Sequence, residues 1–123
     1  MGNTMNKSKT LKEDIDAAFV VDINALCKTL KIDTIAGKEF VKYSLANCLM
    51  FERKQLDYGP KNISGFGTFG VIVRANDKFE RLKHLFTKRN KRVKNETVED
   101  TLRDIGNYAI IAQILERGEW PNE

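Results

Sequence analysis

Three carboxylates stand on helix faces that the surrounding pattern marks as covered, the arrangement by which a protein holds a hard divalent cation. The first is Glu52. Placed at about 100° per residue on a helix predicted over about Thr34 to Leu56, Val41, Leu45, Cys48, Leu49 and Leu56 share one apolar stripe, and Glu52 falls inside it. A carboxylate there is paired with an arginine, reaches solvent from the edge of the core, or binds a metal. The other two are Asp100 and Asp104, on a helix predicted over about Glu96 to Arg117. Its apolar face is Val98, Leu102, Ile105, Ala109 and Ala112. Its acidic side, Glu96, Asp100, Asp104 and Asn107, runs on into Ile111, Ile114 and Leu115, so that side is expected to be covered. Carboxylates four residues apart repel each other unless a cation lies between them. Glu52, Asp100 and Asp104 are therefore the candidate ligands of Mg²⁺, with Glu52 and Asp104 the candidate catalytic carboxylates.

A third helix, predicted over about Thr68 to Phe86, supplies the opposite charge. Beside its apolar face of Val71, Ala75, Phe79, Leu82 and Phe86 run Arg74, Asp77 and Arg81. Alone, these read as a surface ion-pair ladder. Beside the carboxylates, Arg74, Lys78 and Arg81 suit the phosphates of a nucleotide. Metal, carboxylate and arginine together are the parts of metal-assisted phosphoanhydride cleavage. Lys88, Arg89, Lys91, Arg92 and Lys94 form a second basic stretch, either a solvated loop or a patch for phosphate or nucleic acid.

The elements that must position these groups are all helical. The chain has 123 residues, 41% apolar and 31% charged, with net charge +4, a globular composition of about one domain. The expected fold is all-α, a compact bundle of about four helices over residues 11–123, after a flexible N-terminus over 1–10. The first helix runs from about Leu11 to Lys31 and is open to interruption at the strand-like Phe19-Val20-Val21. Asp33 or Thr34 caps the second, and Tyr58-Gly59-Pro60 ends it. Asn95 is the expected N-cap of the last, with Gly118 and Pro121 beyond its end. The connection from Gly59 to Gly67 reads as a glycine-rich loop. Gly65, Gly67 and Gly70 give a GxGxxG spelling, but a helix precedes it where a dinucleotide fold needs a strand, so a Rossmann reading is excluded. Phosphate binding at the following helix N-terminus stays open beside a plain connection.

Cys27 and Cys48 read as small buried hydrophobes with neither disulfide nor zinc spacing, and the single histidine, His84, carries no assigned chemistry. No apolar run approaches a membrane span and residues 1–10 lack an apolar signal core, so the expected location is the cytoplasm, without a membrane partner.

Asp57-Tyr58-Gly59, then Gly70 to Leu82 with Arg74, Asp77, Lys78 and Arg81, then Val98 to Ala109 with Asp100, Asp104 and Asn107, resemble one family. It is the small helical family called nucleotide modification associated domain, type one, common in bacteriophages, and the resemblance covers about Phe40 to Leu115. It implies a phage or prophage source, so the cytoplasm would be the host's, and a role around modified nucleotides or DNA. It also implies Asp57, Tyr58, Arg74, Asp77, Lys78, Arg81 and Asn107 as substrate contacts. The family is distantly similar to the all-helical MazG-type nucleotide pyrophosphohydrolases, which bind Mg²⁺ through ExxE and ExxD motifs on adjacent helices. Here Glu52 has no Glu one turn away and the later pair is spaced DxxxD.

The leading expectation is a Mg²⁺-dependent pyrophosphohydrolase of ordinary or modified nucleoside triphosphates. Beside it stand a non-catalytic nucleotide binder or sequestering phage protein, a nucleic-acid-binding accessory protein using Lys88 to Lys94, and a structural protein with buried ion pairs. A homo-oligomer is expected, because the enclosed polar surface invites completion by a second subunit.

Overall fold

Thr10 starts the first helix with a reciprocal cap. Its hydroxyl accepts the Glu13 N–H at 3.1 Å, and its own N–H donates to Glu13 Oε1 at 2.9 Å. That backbone N–H, with help from the Thr10 hydroxyl, holds the Glu13 carboxyl below the ordinary value. The computed structural model describes residues 9–87 and 95–121, with the side chains of 95 and 96 excepted. The basic stretch from Lys88 to Lys94 lies outside the described residues.

Helix α1 spans Leu11–Ala18 and α2 spans Ile23–Leu30. The break falls at Phe19 to Asp22, where Val20 and Val21 are poor helix formers and the Asp22 carboxylate caps α2 by accepting the Ala25 N–H at 3.0 Å. Helix α3 spans Ile35–Tyr58, with the Thr34 hydroxyl accepting the Gly37 N–H at 2.9 Å. Gly59, at φ +75°, turns the chain out of α3. Pro60 then opens a short helix, α4, over Pro60–Ser64. The stretch expected as a glycine-rich loop thus contains a helical turn, because proline is pre-set for the first helical position. Helix α5 spans Gly67–Thr87 and α6 spans Asn95–Glu116, so the residue expected to cap α6 is its first helical one. The described residues form six helices and no strand, an all-α chain. No helix among them is long and apolar enough to cross a membrane.

The chain divides into two units, Met1–Arg53 and Lys54–Glu123, with the boundary inside α3. In the first, Ala18, Cys27, Ala46 and Met50 are buried. Asp14, fully buried, receives both terminal nitrogens of Arg53, at 2.8 and 2.7 Å. The covered stripe of α3 is therefore Ala46, Met50 and Arg53, at i, i+4 and i+7. The expected stripe was turned by about one residue: Glu52, Cys48, Leu49 and Leu56 are exposed. Apolar residues surround α3 from Val41 to Phe51, so apolar content does not select its inner face; the buried partner of Arg53 does. Cys27 is buried as expected, whereas Cys48 is exposed; both are free thiols.

In the second unit, α5 and α6 pack along their length, and α4 packs on α5. The Thr68 hydroxyl, near the start of α5, donates to Glu116 Oε2 at 2.7 Å, near the end of α6, so the pair is antiparallel. Ile63, Val71, Val98 and Ile111 are its buried apolar residues. Trp120 Nε1 donates to the Pro60 carbonyl at 3.0 Å and fastens the C-terminal end to α4. Phe79, Phe86 and Leu102, assigned to apolar faces by periodicity, are about half exposed. Beside the buried apolar residues the covered positions include polar groups: Lys78 on α5, and Thr101, Arg103, Asp104 and Asn107 on α6.

Candidate functional site

On α5, the covered positions Val71, Ala75, Lys78, Leu82 and Leu85 recur at helical spacing, so Lys78 is carried on the side that meets α6. On α6 the buried positions are Val98, Thr101, Arg103, Asp104, Asn107 and Ile111. Of the side expected to be covered, Asp104, Asn107 and Ile111 are buried, whereas Asp100 is exposed. Between α5 and α6, Lys78, Arg81, Thr97, Asp100, Thr101 and Asp104 line a cleft of about 300 Å³.

Asp104 is its fixed point. Its side chain is only 10% exposed, and each oxygen meets a different lysine: Oδ1 accepts from Lys54 Nζ at 2.7 Å, and Oδ2 is ion-paired with Lys78 Nζ at 2.9 Å. The Lys54 side chain is half exposed and that of Lys78 one-third exposed. Asp100, one turn earlier on α6, is exposed in the cleft, as is Arg81 from α5. Thr101 donates its hydroxyl to the Thr97 carbonyl at 2.8 Å, which keeps the threonine wall of the cleft tied to its own helix.

Four of the residues singled out by spacing, Lys78, Arg81, Asp100 and Asp104, are therefore gathered in one place. The others stand apart from it. Arg74 turns to α4, donating to Asn62 Oδ1 at 3.3 Å and to the Asn62 carbonyl at 3.0 Å, and so closes the end of that short helix. Asp77 is exposed on α5, and Asp57 and Tyr58 are exposed at the end of α3. Asn107 is 8% exposed, one turn beyond Asp104 on the inner side of α6. Glu52, expected on a covered face, is exposed on α3 and belongs to the first unit. Among the described residues no three His, Cys, Asp or Glu side chains are grouped as a metal site.

Lys54, Thr97 and Thr101 were not selected by sequence reasoning. The threonines carried a readable signal, since Thr97, Thr101 and Asp104 fall at i, i+4 and i+7 of one helix. Lys54 carried none: it is 50 residues from the aspartate it meets.

A model of the family described as nucleotide modification associated domain 1 matches residues 54–115, a segment that begins at Lys54 and contains every residue of the cleft. No curated protein and no solved structure matches the chain.

Proposed function

The chain belongs to the nucleotide modification associated domain 1 family, and from that premise we propose that the cleft between α5 and α6 binds the phosphates of a nucleotide. The observation that carries this is the meeting of Lys78, Arg81, Asp100 and Asp104 in one cleft within the family-matched segment. Arg81 offers a planar fork and Lys78 a point charge, the two donor types that grip phosphoryl oxygens. A space of about 300 Å³ sits at the lower end of ligand pockets, enough for a phosphate chain with sugar and base directed outward.

The donor set argues against a resident metal. Two carboxylates line the cleft, and both oxygens of Asp104 are already paired with lysines. Asp100 is the exposed carboxylate there. In this reading Mg²⁺ enters with the nucleotide, shared between phosphate oxygens and Asp100, as is usual for a cation that keeps most of its own waters. The same exposed Asp100 beside cations favours a second reading, cleavage of a nucleoside triphosphate to monophosphate and pyrophosphate, with Mg²⁺ withdrawing charge from the phosphates.

Isothermal titration of the chain with ordinary and modified deoxynucleoside triphosphates, with and without Mg²⁺, tests the proposal. Binding is expected, and Arg81→Gln is expected to weaken it about tenfold, the worth of one charge-assisted hydrogen bond. Absence of any affinity, with or without the metal, overturns it. Release of pyrophosphate from the same mixtures separates the two readings.

A further inference from the structure

One carboxylate holding two ammonium groups leaves a surplus of positive charge at a fixed place. Asp104 is nine-tenths buried, so its position is set by the packing of α6. Lys54 comes from the end of α3 and Lys78 from the middle of α5, and each carries its charge on a long flexible stem. Without a common anchor the two ammonium groups would sample many separate positions. Bound to Oδ1 and Oδ2 of a single carboxylate at 2.7 and 2.9 Å, they are held together across the width of that group. An ammonium has three donors; Lys54 gives one to Asp104 Oδ1, and Lys78 is ion-paired with Oδ2. The lysine side chains are 49% and 32% exposed, so the group stands at a partly solvated surface that a ligand can reach.

We propose that Lys54 and Lys78 form a two-ammonium clamp for a diphosphate unit, and that Asp104 is the residue that positions them. This rests on the reading of the cleft as a phosphate site and names the part of the nucleotide that it selects. A diphosphate presents oxygens on two neighbouring phosphoryl groups and more negative charge than a single phosphate, so two cations held in advance favour it over a monophosphate. Holding the lysines before the ligand arrives removes most of the ordering cost from the binding step. Asp104 does not act as a metal ligand in this scheme, because a cation there would lie beside two ammonium groups already paired with the same carboxylate. Lys54 becomes a nucleotide contact although it lies outside the residues that line the cleft proper.

Calorimetry with inorganic pyrophosphate and with orthophosphate, both in EDTA, reads the clamp directly. Pyrophosphate is expected to bind without metal and more tightly than orthophosphate. Lys54→Gln and Lys78→Gln are each expected to weaken pyrophosphate about tenfold and to change orthophosphate much less. Asp104→Asn is expected to lower the ratio of pyrophosphate to orthophosphate affinity. Thermal melting of each variant reports its fold, and Lys54→Gln, at a half-exposed position, keeps the test decisive if Asp104→Asn fails to fold. If Lys54→Gln binds pyrophosphate as the parent does while Arg81→Gln loses it, the clamp is refuted and the cleft reading stands. If pyrophosphate binds only with Mg²⁺ and Asp104→Asn abolishes that binding, Asp104 is a metal ligand and the clamp is again refuted. If neither nucleotide nor pyrophosphate binds at all, the cleft reading itself fails.

Discussion

Asp14→Ala and Asp104→Ala remove the same carboxylate from two covered positions, and the surroundings assign them different costs. Asp14 is 1% exposed at its side chain and its partner Arg53 only 15%. Both terminal nitrogens of Arg53 point at both oxygens of Asp14. Truncating Asp14 leaves a guanidinium covered by protein with its bidentate partner gone, a loss of about 3–5 kcal/mol for a buried pair. Asp104 is 10% exposed, but its partners are 49% and 32% exposed and swing into water when the carboxylate is removed. Each of those contacts is discounted toward the surface range of about 0–1 kcal/mol, so the pair together is worth about 1–2 kcal/mol. Urea titration followed by circular dichroism measures both. With a slope of roughly 1–3 kcal/mol per molar, the midpoint is expected to fall by on the order of 2 M for Asp14→Ala and by on the order of half a molar for Asp104→Ala. Adding Arg53→Met to Asp14→Ala is expected to recover much of the loss, because the stranded charge is then gone. Equal midpoint shifts for the two single variants would refute the reasoning, since partner exposure would then not govern the cost.

Two further outcomes follow from the first unit. Thr10 holds the Glu13 carboxyl below its ordinary value of 4.5. A depressed folded value means that the contribution of this cap is fully present above the unfolded value and is lost as pH falls through the folded one. Acid titration of helicity is expected to show a small loss below about pH 4 that Glu13→Gln lacks, and superimposable acid profiles would count against the cap. Cys48 is exposed whereas Cys27 is fully buried. A thiol-reactive chromophore is therefore expected to label Cys48 in the native chain and Cys27 only after denaturation, and fast native labelling of Cys27 would contradict the packing of α2.

Most helix boundaries were legible because they are local. The Thr34 side chain caps the N–H three residues ahead, and Gly59 adopts a positive φ that other residues resist; the Asp22 cap at the break after α1 was not read. The gathering of Lys78 with Arg81, and of Asp100 with Asp104, was legible for the same reason: spacings of three and four along a helix put side chains on one face whatever packs against it. The short helix α4 was missed because a glycine-rich composition hid a proline at a helix start.

Which face of a helix points inward is a different kind of question. On α3, Glu52 and Arg53 differ by one position and about 100°, and apolar residues on nearly every side gave both an equal claim to the interior. The tertiary structure chose Arg53 because Asp14, on another helix, neutralises it there, while nothing required Glu52 to leave water. The same holds for Lys54 and Asp104. Their pairing depends on how the end of α3 reaches α6 across 50 residues of chain, a distance over which helical periodicity carries no information. Sequence alone thus determined an all-helical chain and the charges that each helix face carries. The meeting of those faces decided which charges are covered, which are paired and which remain open to a ligand.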